Sequence, residues 1–368
     1  MVNKVLIPET FVSKRYVGKI YGRFIEDTGV FNIFDEKMIS SGIKCSELGE
    51  ISETHKNDDK LLGVWDNDNL SFKYKGELFR VEKYGVIQNV FSRNSGILET
   101  DKMLDKTAII IGCGSVGSLI ALELAKSGVG TFVLLDNDII EYHNLCRHQC
   151  DIEDVGKYKV DAVKEKLLRI NPGISVHCER KTIENVSKSV FDEKCIENKS
   201  IIIGCADNRM ADSYANGISV MYKVPFVSVG FWERAFAGEI FYYLPNQNMP
   251  CYKCAIGEGN NISGRISKNR RFYTNEEDIK NVDFEPGISS DISFVTIVGI
   301  KIIIDILNIN NTSYVPRVLD SLRQYTLVCN TNKPQVGGEM AEIFGYPLQV
   351  TTSLVVSHSE KCPPCEFE

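Results

Sequence analysis

The stretch "TAIIIGCGSVGSLIALELAKSG", Thr107 to Gly128, constrains this chain more than any other. A run rich in β-branched residues stops at Gly112. Helical periodicity begins a few residues later and ends at Gly128. Gly112, Gly114 and Gly117 fit G-x-G-x-x-G in the context that gives the pattern meaning, directly after a strand and opening a helix. The first two glycines let the backbone turn and approach a phosphate. The helix that Ser115 opens offers free N–H groups and a partial positive charge. The next predicted strand, "TFVLLD", ends in Asp136, 19 residues past Gly117, where a carboxylate can grip ribose hydroxyls. Strand, turn, helix and acid in register point to an adenine nucleotide. They do not separate NAD from ATP.

The βα alternation continues through "GKYKVDAVKEKLLRI", whose Val160, Val163, Leu167 and Ile170 share one helical side, and through the strands "ISVHCE", "SIIIGCAD" and "PFVSVG". This predicts an α/β fold, a doubly wound and mostly parallel Rossmann-like sheet with ligands at the carboxyl ends of its strands. "EIFYYLP" reads as an antiparallel extension. Residues 1–100 differ: short apolar–polar alternations between polar turns predict a small β-rich domain, with His55 in a charged loop and no catalytic cluster. Residues 101–368 form the nucleotide domain. Within it, 255–290 is a long polar segment with little periodicity, the kind of loop that is usually functional or mobile.

The segment after Asp136 carries groups that a dehydrogenase does not need. "LLDND" adds Asp138, "HNLCRH" brings Asn144 and Arg147, and "GKYK" places Lys159 at a helix start. Lys and Arg neutralise phosphate oxygens, and Arg can do so with two parallel hydrogen bonds. Asp207, at the end of "SIIIGCAD", can hold Mg²⁺ against a polyphosphate, or can cap the following helix. Together, at successive strand ends, these residues favour phosphoryl or nucleotidyl chemistry. Three neighbours in this stretch, Cys146, His148 and Cys150, have no evident role.

The set "GCGSVGS…LLDND…HNLCRH…DVGKYK…NP…GCADN" resembles the ThiF/MoeB/HesA-type adenylyltransferases related to ubiquitin-activating enzymes, including the one that adenylates the microcin C7 peptide. The likeness covers roughly residues 88 to 365. It implies ATP and Mg²⁺ as the nucleotide and metal, and the C-terminal carboxylate of a small ubiquitin-like protein or peptide as the nucleophile. Pyrophosphate is released and an acyl adenylate remains. By this resemblance Asp136 and Asp138 join the glycine loop and Ser115 in binding nucleotide. Asn144, Arg147 and Lys159 hold the triphosphate, with Lys159 nearest the α-phosphate, and Asp207 positions Mg²⁺. Arg93, in "NVFSRNSGIL", matches an arginine supplied by the partner subunit, which implies a homodimer.

The cysteines divide into two kinds. "MPCYKC" and "EKCPPC" give two C-x₂-C knuckles, and the four thiolates of Cys251, Cys254, Cys362 and Cys365 suit a closed structural Zn²⁺ site. Cys113, Cys205 and Cys329 lie in apolar strands and read as core. Segment 255–290 has no cysteine beyond the knuckle, so the expectation is an enzyme that stops at the adenylate and passes the acyl group to an external thiol, amine or sulfur carrier. The basic run "SGRISKNRR" within it reads as a solvated segment. No secretory signal is visible, and "ISFVTIVGIKIIIDILNI" is interrupted by Lys301 and Asp305, so the expectation is a cytoplasmic protein with no membrane span. A formal charge of -7 argues against nucleic-acid partners. Three alternatives remain open: an NAD-linked oxidoreductase, a tRNA-modifying or small-carboxylate adenylyltransferase, and a non-catalytic nucleotide-binding scaffold.

Overall fold

The computed structural model describes residues 3–54, 60–232, 235–256, 287–331, 333, 351–359 and 362. His55, Cys365, the basic run at 263–271 and most of the 255–290 segment lie outside the described residues. The chain divides into two compact units, residues 1–95 with 165–174, and residues 96–164 with 175–368.

In the first unit the β-rich reading becomes a closed barrel rather than an open sheet. Its strands are β1 (Lys4–Pro8), β2 (Gly18–Ile25), β3 (Val30–Ile33), β4 (Ser46–Ser52), β5 (Leu61–Asp66), β6 (Asn69–Tyr74) and β7 (Glu77–Tyr84), in the order β1-β3-β2-β4-β5-β6-β7. Short helices α1 (Glu9–Ser13), α2 (Glu36–Ser40) and α3 (Val86–Val90) accompany them. The circuit closes at β1, which runs parallel to β3 on one side and to β7 on the other. Alternation along each strand turns Val5, Ile7, Ile20, Phe31, Ile33, Phe72 and Phe79 inward as one apolar cluster. Phe24 stacks on Phe31 with ring centroids 4.1 Å apart, and the Trp65 indole N–H donates to the Tyr16 carbonyl at 3.0 Å.

The second unit is built on an eight-stranded sheet ordered β10-β9-β8-β11-β12-β13-β14-β15. The strands are β8 (Thr107–Ile111), β9 (Thr131–Leu135), β10 (Ser175–Glu179), β11 (Ser200–Gly204), β12 (Phe226–Phe231), β13 (Ala237–Tyr243), β14 (Tyr325–Cys329) and β15 (Thr351–Leu354). From β10 to β12 every pairing is parallel. β13, β14 and β15 then add antiparallel, so the extension read from "EIFYYLP" is three strands rather than one. All five residues of β8 and all five of β11 are buried, as continuous apolar runs in a parallel sheet require. The chain winds outward from β8 through β9 to β10, then returns to the other side of β8 with β11. In open α/β sheets a reversal of this kind is where ligands bind, at the carboxyl ends of the strands, here β8 and β11.

Among the described residues, this unit carries the helices α4 (Thr100–Leu104), α5 (Ser115–Lys126), α6 (Lys159–Ile170, whose residues from 165 on group with the first unit), α7 (Lys188–Lys194), α8 (Arg209–Tyr222), α9 (Tyr252–Ile256) and α10 (Ser289–Leu307). The last explains the apolar run broken by Lys301 and Asp305. Lys301 is exposed, whereas Asp305 is fully buried and fully used. Its Oδ2 accepts the backbone N–H groups of Arg317, Val318 and Leu319 at 2.8–3.0 Å, and its Oδ1 accepts the Tyr314 hydroxyl at 2.6 Å. Among the described residues no helix is long and apolar enough to cross a membrane.

Candidate functional site

The glycine loop sits at the reversal point, and its three glycines do different things. Gly112 has φ +88°, and a Cβ there would lie 2.6 Å from the carbonyl oxygen of Cys205 at the end of β11. A Cβ on Gly117 would lie 1.9 Å from the Gly112 carbonyl oxygen. These two glycines are therefore required by the close approach of the chain to itself. Gly114, which precedes Ser115 at the start of α5, would direct a Cβ into space with no atom within 4 Å. Of the three, it is the glycine that leaves room beside free helix N–H groups, the shape an anionic ligand needs.

Asp136 follows β9 directly and is anchored by backbone. Its Oδ2 accepts the Cys113 N–H at 2.7 Å and its Oδ1 accepts the Asp138 N–H at 2.8 Å. The acid is thus tied to the glycine loop itself. Asp138 pairs with Lys159, whose Nζ lies 2.8 Å from Asp138 Oδ2. The two ends of this pair differ: the lysine side chain is 13% exposed and the aspartate 61%. Lys159 opens α6, and its backbone N–H donates to the Asp138 carbonyl at 2.9 Å.

Asn144 ends a single 3₁₀ turn (Tyr142–Asn144), and its Oδ1 accepts the Glu141 N–H at 2.9 Å. Part of its polar capacity therefore shapes the loop that carries Arg147. Arg147 stands close enough to Asp207 to oppose the upward push that burial and Glu239 exert on the Asp207 carboxyl. Asp207 does not cap α8. Asn208 takes that place, with its side chain accepting the N–H groups of Met210 and Ala211 at 2.9 and 3.3 Å. Asp207 itself has φ +51°, a left-handed conformation that Asp tolerates better than most residues but that still costs energy, the kind of strain that collects at functional sites. Arg93 is exposed in the turn after α3, in the first unit, and the capping reading is the one expectation that the placement of Asp207 removes.

Beside Asp207 lies a polar cluster that reading the sequence missed. Glu239, buried on β13, accepts from Arg209 (3.0 Å), the Trp232 indole (3.1 Å) and the Tyr325 hydroxyl. Asp212, buried on α8, accepts the Ser228 hydroxyl at 2.5 Å. Burial, with Glu239 and Asp207 nearby, pushes the Asp212 carboxyl up to about 7. The available signal was a lone acid in an otherwise apolar strand, "AGEIFYY", since a buried carboxylate demands partners.

Cys251, Cys254 and Cys362 converge as expected. Their sulfurs lie within 4.8 Å of one another and all three residues are buried. The Cys251–Cys254 sulfurs are 3.8 Å apart, close to the edge of a tetrahedron with metal–sulfur bonds of about 2.3 Å. Cys251 and Cys362 are 3.1 Å apart, and the Ser359 N–H donates to the Cys254 sulfur at 3.3 Å. Three buried thiols with an N–H donor fit a Zn²⁺ ion, which would be held by these three residues and a fourth ligand. Cys113, Cys205 and Cys329 are buried, and burial raises all three thiols, Cys329 to about 11, which keeps them protonated core groups.

A family model described as "ThiF family" matches residues 88–357, most of the chain. The chain belongs to the ThiF family. Among its relatives, the sulfur carrier protein ThiS adenylyltransferase of Escherichia coli K12 is 30% identical over 156 residues, 42% of this chain and 59% of the relative. The molybdopterin-synthase adenylyltransferase of Salmonella typhimurium LT2 is 29% identical over 158 residues, 42% of this chain and 60% of the relative. Ubiquitin-like modifier-activating enzyme 5 of Caenorhabditis briggsae is 26% identical over 213 residues, 54% and 49% of the two chains. The chain thus spans about half to three-fifths of these curated relatives. In fold, this ThiF-family chain is similar to E. coli MccB solved with MccA-N7isoASN, with TM-score 0.53 and 22% identity over 75% of each chain.

Proposed function

We propose that this chain is an Mg·ATP-dependent adenylyltransferase that activates the C-terminal carboxylate of a ubiquitin-like protein or peptide. The observation that carries the reading is the gathering of Asp136, Arg147, Lys159 and Asp207 around a glycine loop with open space at Gly114, where the strand order reverses. Relatives whose names describe adenylation of a sulfur carrier protein and activation of a ubiquitin-like modifier support the substrate class.

In this reading Asp136, held by the Cys113 and Asp138 amides, presents a fixed carboxylate to the ribose. The N–H groups at Gly114 and Ser115 face the phosphates. Lys159 exchanges Asp138 for a phosphate oxygen, and the released Asp138 carboxylate, being 61% exposed, is taken up by water. Arg147 and Asn144 flank the triphosphate. Mg²⁺, held by Asp207, supplies further charge neutralisation when bound. The substrate carboxylate is already ionised, so no general base is required. One of its oxygens bonds to the α-phosphorus as the bond to the bridging oxygen of pyrophosphate breaks. The protein's work is alignment and charge stabilisation. An external thiol, amine or sulfur carrier then attacks the acyl carbon, and AMP leaves as the bond from that carbon to the phosphate oxygen breaks. Arg93 is assigned to the site of a second copy, which makes the homodimer part of the proposal, and the Zn²⁺ site is assigned a structural role.

Exchange of labelled pyrophosphate into ATP, dependent on the carboxylate partner, tests this. Lys159→Ala and Asp207→Ala should each lower exchange by about 10²–10³-fold with circular dichroism unchanged. Absence of exchange with every Gly-terminated ubiquitin-like protein and peptide offered would sink the reading.

A further inference from the structure

His148 has no place in the roles assigned above, yet it is among the few polar side chains that are buried beside the nucleotide loop. Both of its ring nitrogens are engaged. Nδ1 accepts the Cys150 N–H at 3.1 Å, and Nε2 lies 2.7 Å from the Cys113 carbonyl oxygen. A ring nitrogen that accepts carries no proton, so the proton is on Nε2, which donates to Cys113. Cys113 lies between Gly112 and Gly114. Its N–H donates to Asp136 and its carbonyl accepts from His148. This one loop residue is therefore fixed from both ends, by the acid at the end of β9 and by the residue next to Arg147.

We propose that His148 is a positioning residue for nucleotide binding: its neutral Nε2–H tautomer pins the Cys113 carbonyl and so sets the direction of the Gly114 and Ser115 N–H groups relative to Arg147. This rests on the nucleotide reading above. The groups that bear on the ring are Lys159 at the start of α6, Asp136 after β9, Asp154 in the loop before α6, and the Cys113 carbonyl. Burial is the largest influence, and with Lys159 it disfavours the imidazolium, whereas Asp136, Asp154 and the carbonyl favour it. The net direction is downward from the ordinary value of about 6.5. Protonation would also place a proton on Nδ1, against the Cys150 N–H. The brace is thus intact above pH 6.5. It is lost as pH falls through the lowered value, because the opened loop takes up the proton more readily.

The test is the affinity for Mg·ATP measured calorimetrically from pH 8 to pH 5.5 for wild type, His148→Ala and His148→Gln. His148→Ala should bind about tenfold more weakly at pH 8. His148→Gln, a neutral amide able both to donate and to accept, should restore most of that affinity. The ratio of wild-type to Gln-variant affinity should fall with pH, and this ratio cancels the titration of ATP itself. Equal affinities of wild type and His148→Ala at pH 8, or no recovery of affinity in His148→Gln, would overturn the inference while leaving the nucleotide reading standing. Failure of wild type to bind Mg·ATP would overturn both. If His148→Ala does not fold, the long-range ¹H–¹⁵N spectrum of the wild-type imidazole decides at pH 7: an Nε2–H tautomer is expected, and an Nδ1–H tautomer or an imidazolium contradicts it.

Discussion

The barrel and the open sheet handle their strand ends in opposite ways. In the barrel, β1 closes the circuit between β3 and β7, and the interior is filled by Val5, Ile7, Phe31 and Phe72. Closure removes every edge and leaves the inside dry and packed. In the open sheet the winding reverses between β8 and β11, and the chain must separate there. Gly112 at φ +88° and Asp207 at φ +51° stand on the two sides of that separation. Asp136, Arg147 and Lys159 arrive there from neighbouring loops. The residues proposed to handle the nucleotide thus gather where the sheet is forced to part, and the unit that holds the barrel contributes none of them but Arg93, assigned to a second copy.

The largest expected effect sharpens that contrast from the barrel side. Phe72 is fully buried and packs within the barrel cluster. Phe72→Ala should destabilise the first unit by about 3–5 kcal/mol. Mg·ATP affinity of the protein that remains folded should not change, and a parallel loss of affinity would break the division of labour. Gly114 and Gly117 sharpen the contrast from the other side. Gly117→Ala pushes a methyl group into the Gly112 carbonyl and should cost at least about 1–3 kcal/mol in thermal or denaturant unfolding. Gly114→Ala meets no protein atom, so it should leave stability near wild type while weakening Mg·ATP binding. The reverse pattern would mean that the open space beside Gly114 is not where phosphate sits.

The smallest expected effect concerns Asp212. Its carboxyl is raised to about 7 by burial and by neighbouring acids. Between its ordinary value and pH 7 the folded state therefore holds the proton more tightly than the unfolded chain, and stability falls as pH rises through that window. Asp212→Asn removes the ionisation and keeps an acceptor for Ser228. The melting temperature of the variant should exceed that of wild type at pH 8, and the gap should close toward pH 5. A gap of the same size at both pH values would show that Asp212 does not titrate there.

What could be read from residues alone followed from locality. The glycine loop, Asp136 and the strands around them are set within one βαβ unit, and the C-x₂-C pairs announce themselves by spacing. The rest depends on partners distant in sequence. Barrel closure depends on Lys4–Pro8 pairing with Glu77–Tyr84, which no short-range pattern encodes. The Glu239 cluster draws on α8, β13 and β14. The role of His148 emerges only when Cys113, 35 residues away in sequence, comes within hydrogen-bond distance. The opposite holds for Asp207, where a local rule suggested a helix cap and the adjacent Asn208 took it.

Cleavage of ATP at its α-phosphate is the central claim, and product analysis tests it most directly. Protein, Mg·ATP, a Gly-terminated ubiquitin-like protein or peptide and hydroxylamine as acyl acceptor should yield AMP and pyrophosphate in equal amounts, together with the hydroxamate of the substrate's C-terminus. Lys159→Ala should yield each of these about 10²–10³-fold more slowly. ADP and orthophosphate as products, or tight NAD binding that ATP does not compete with, would contradict the account.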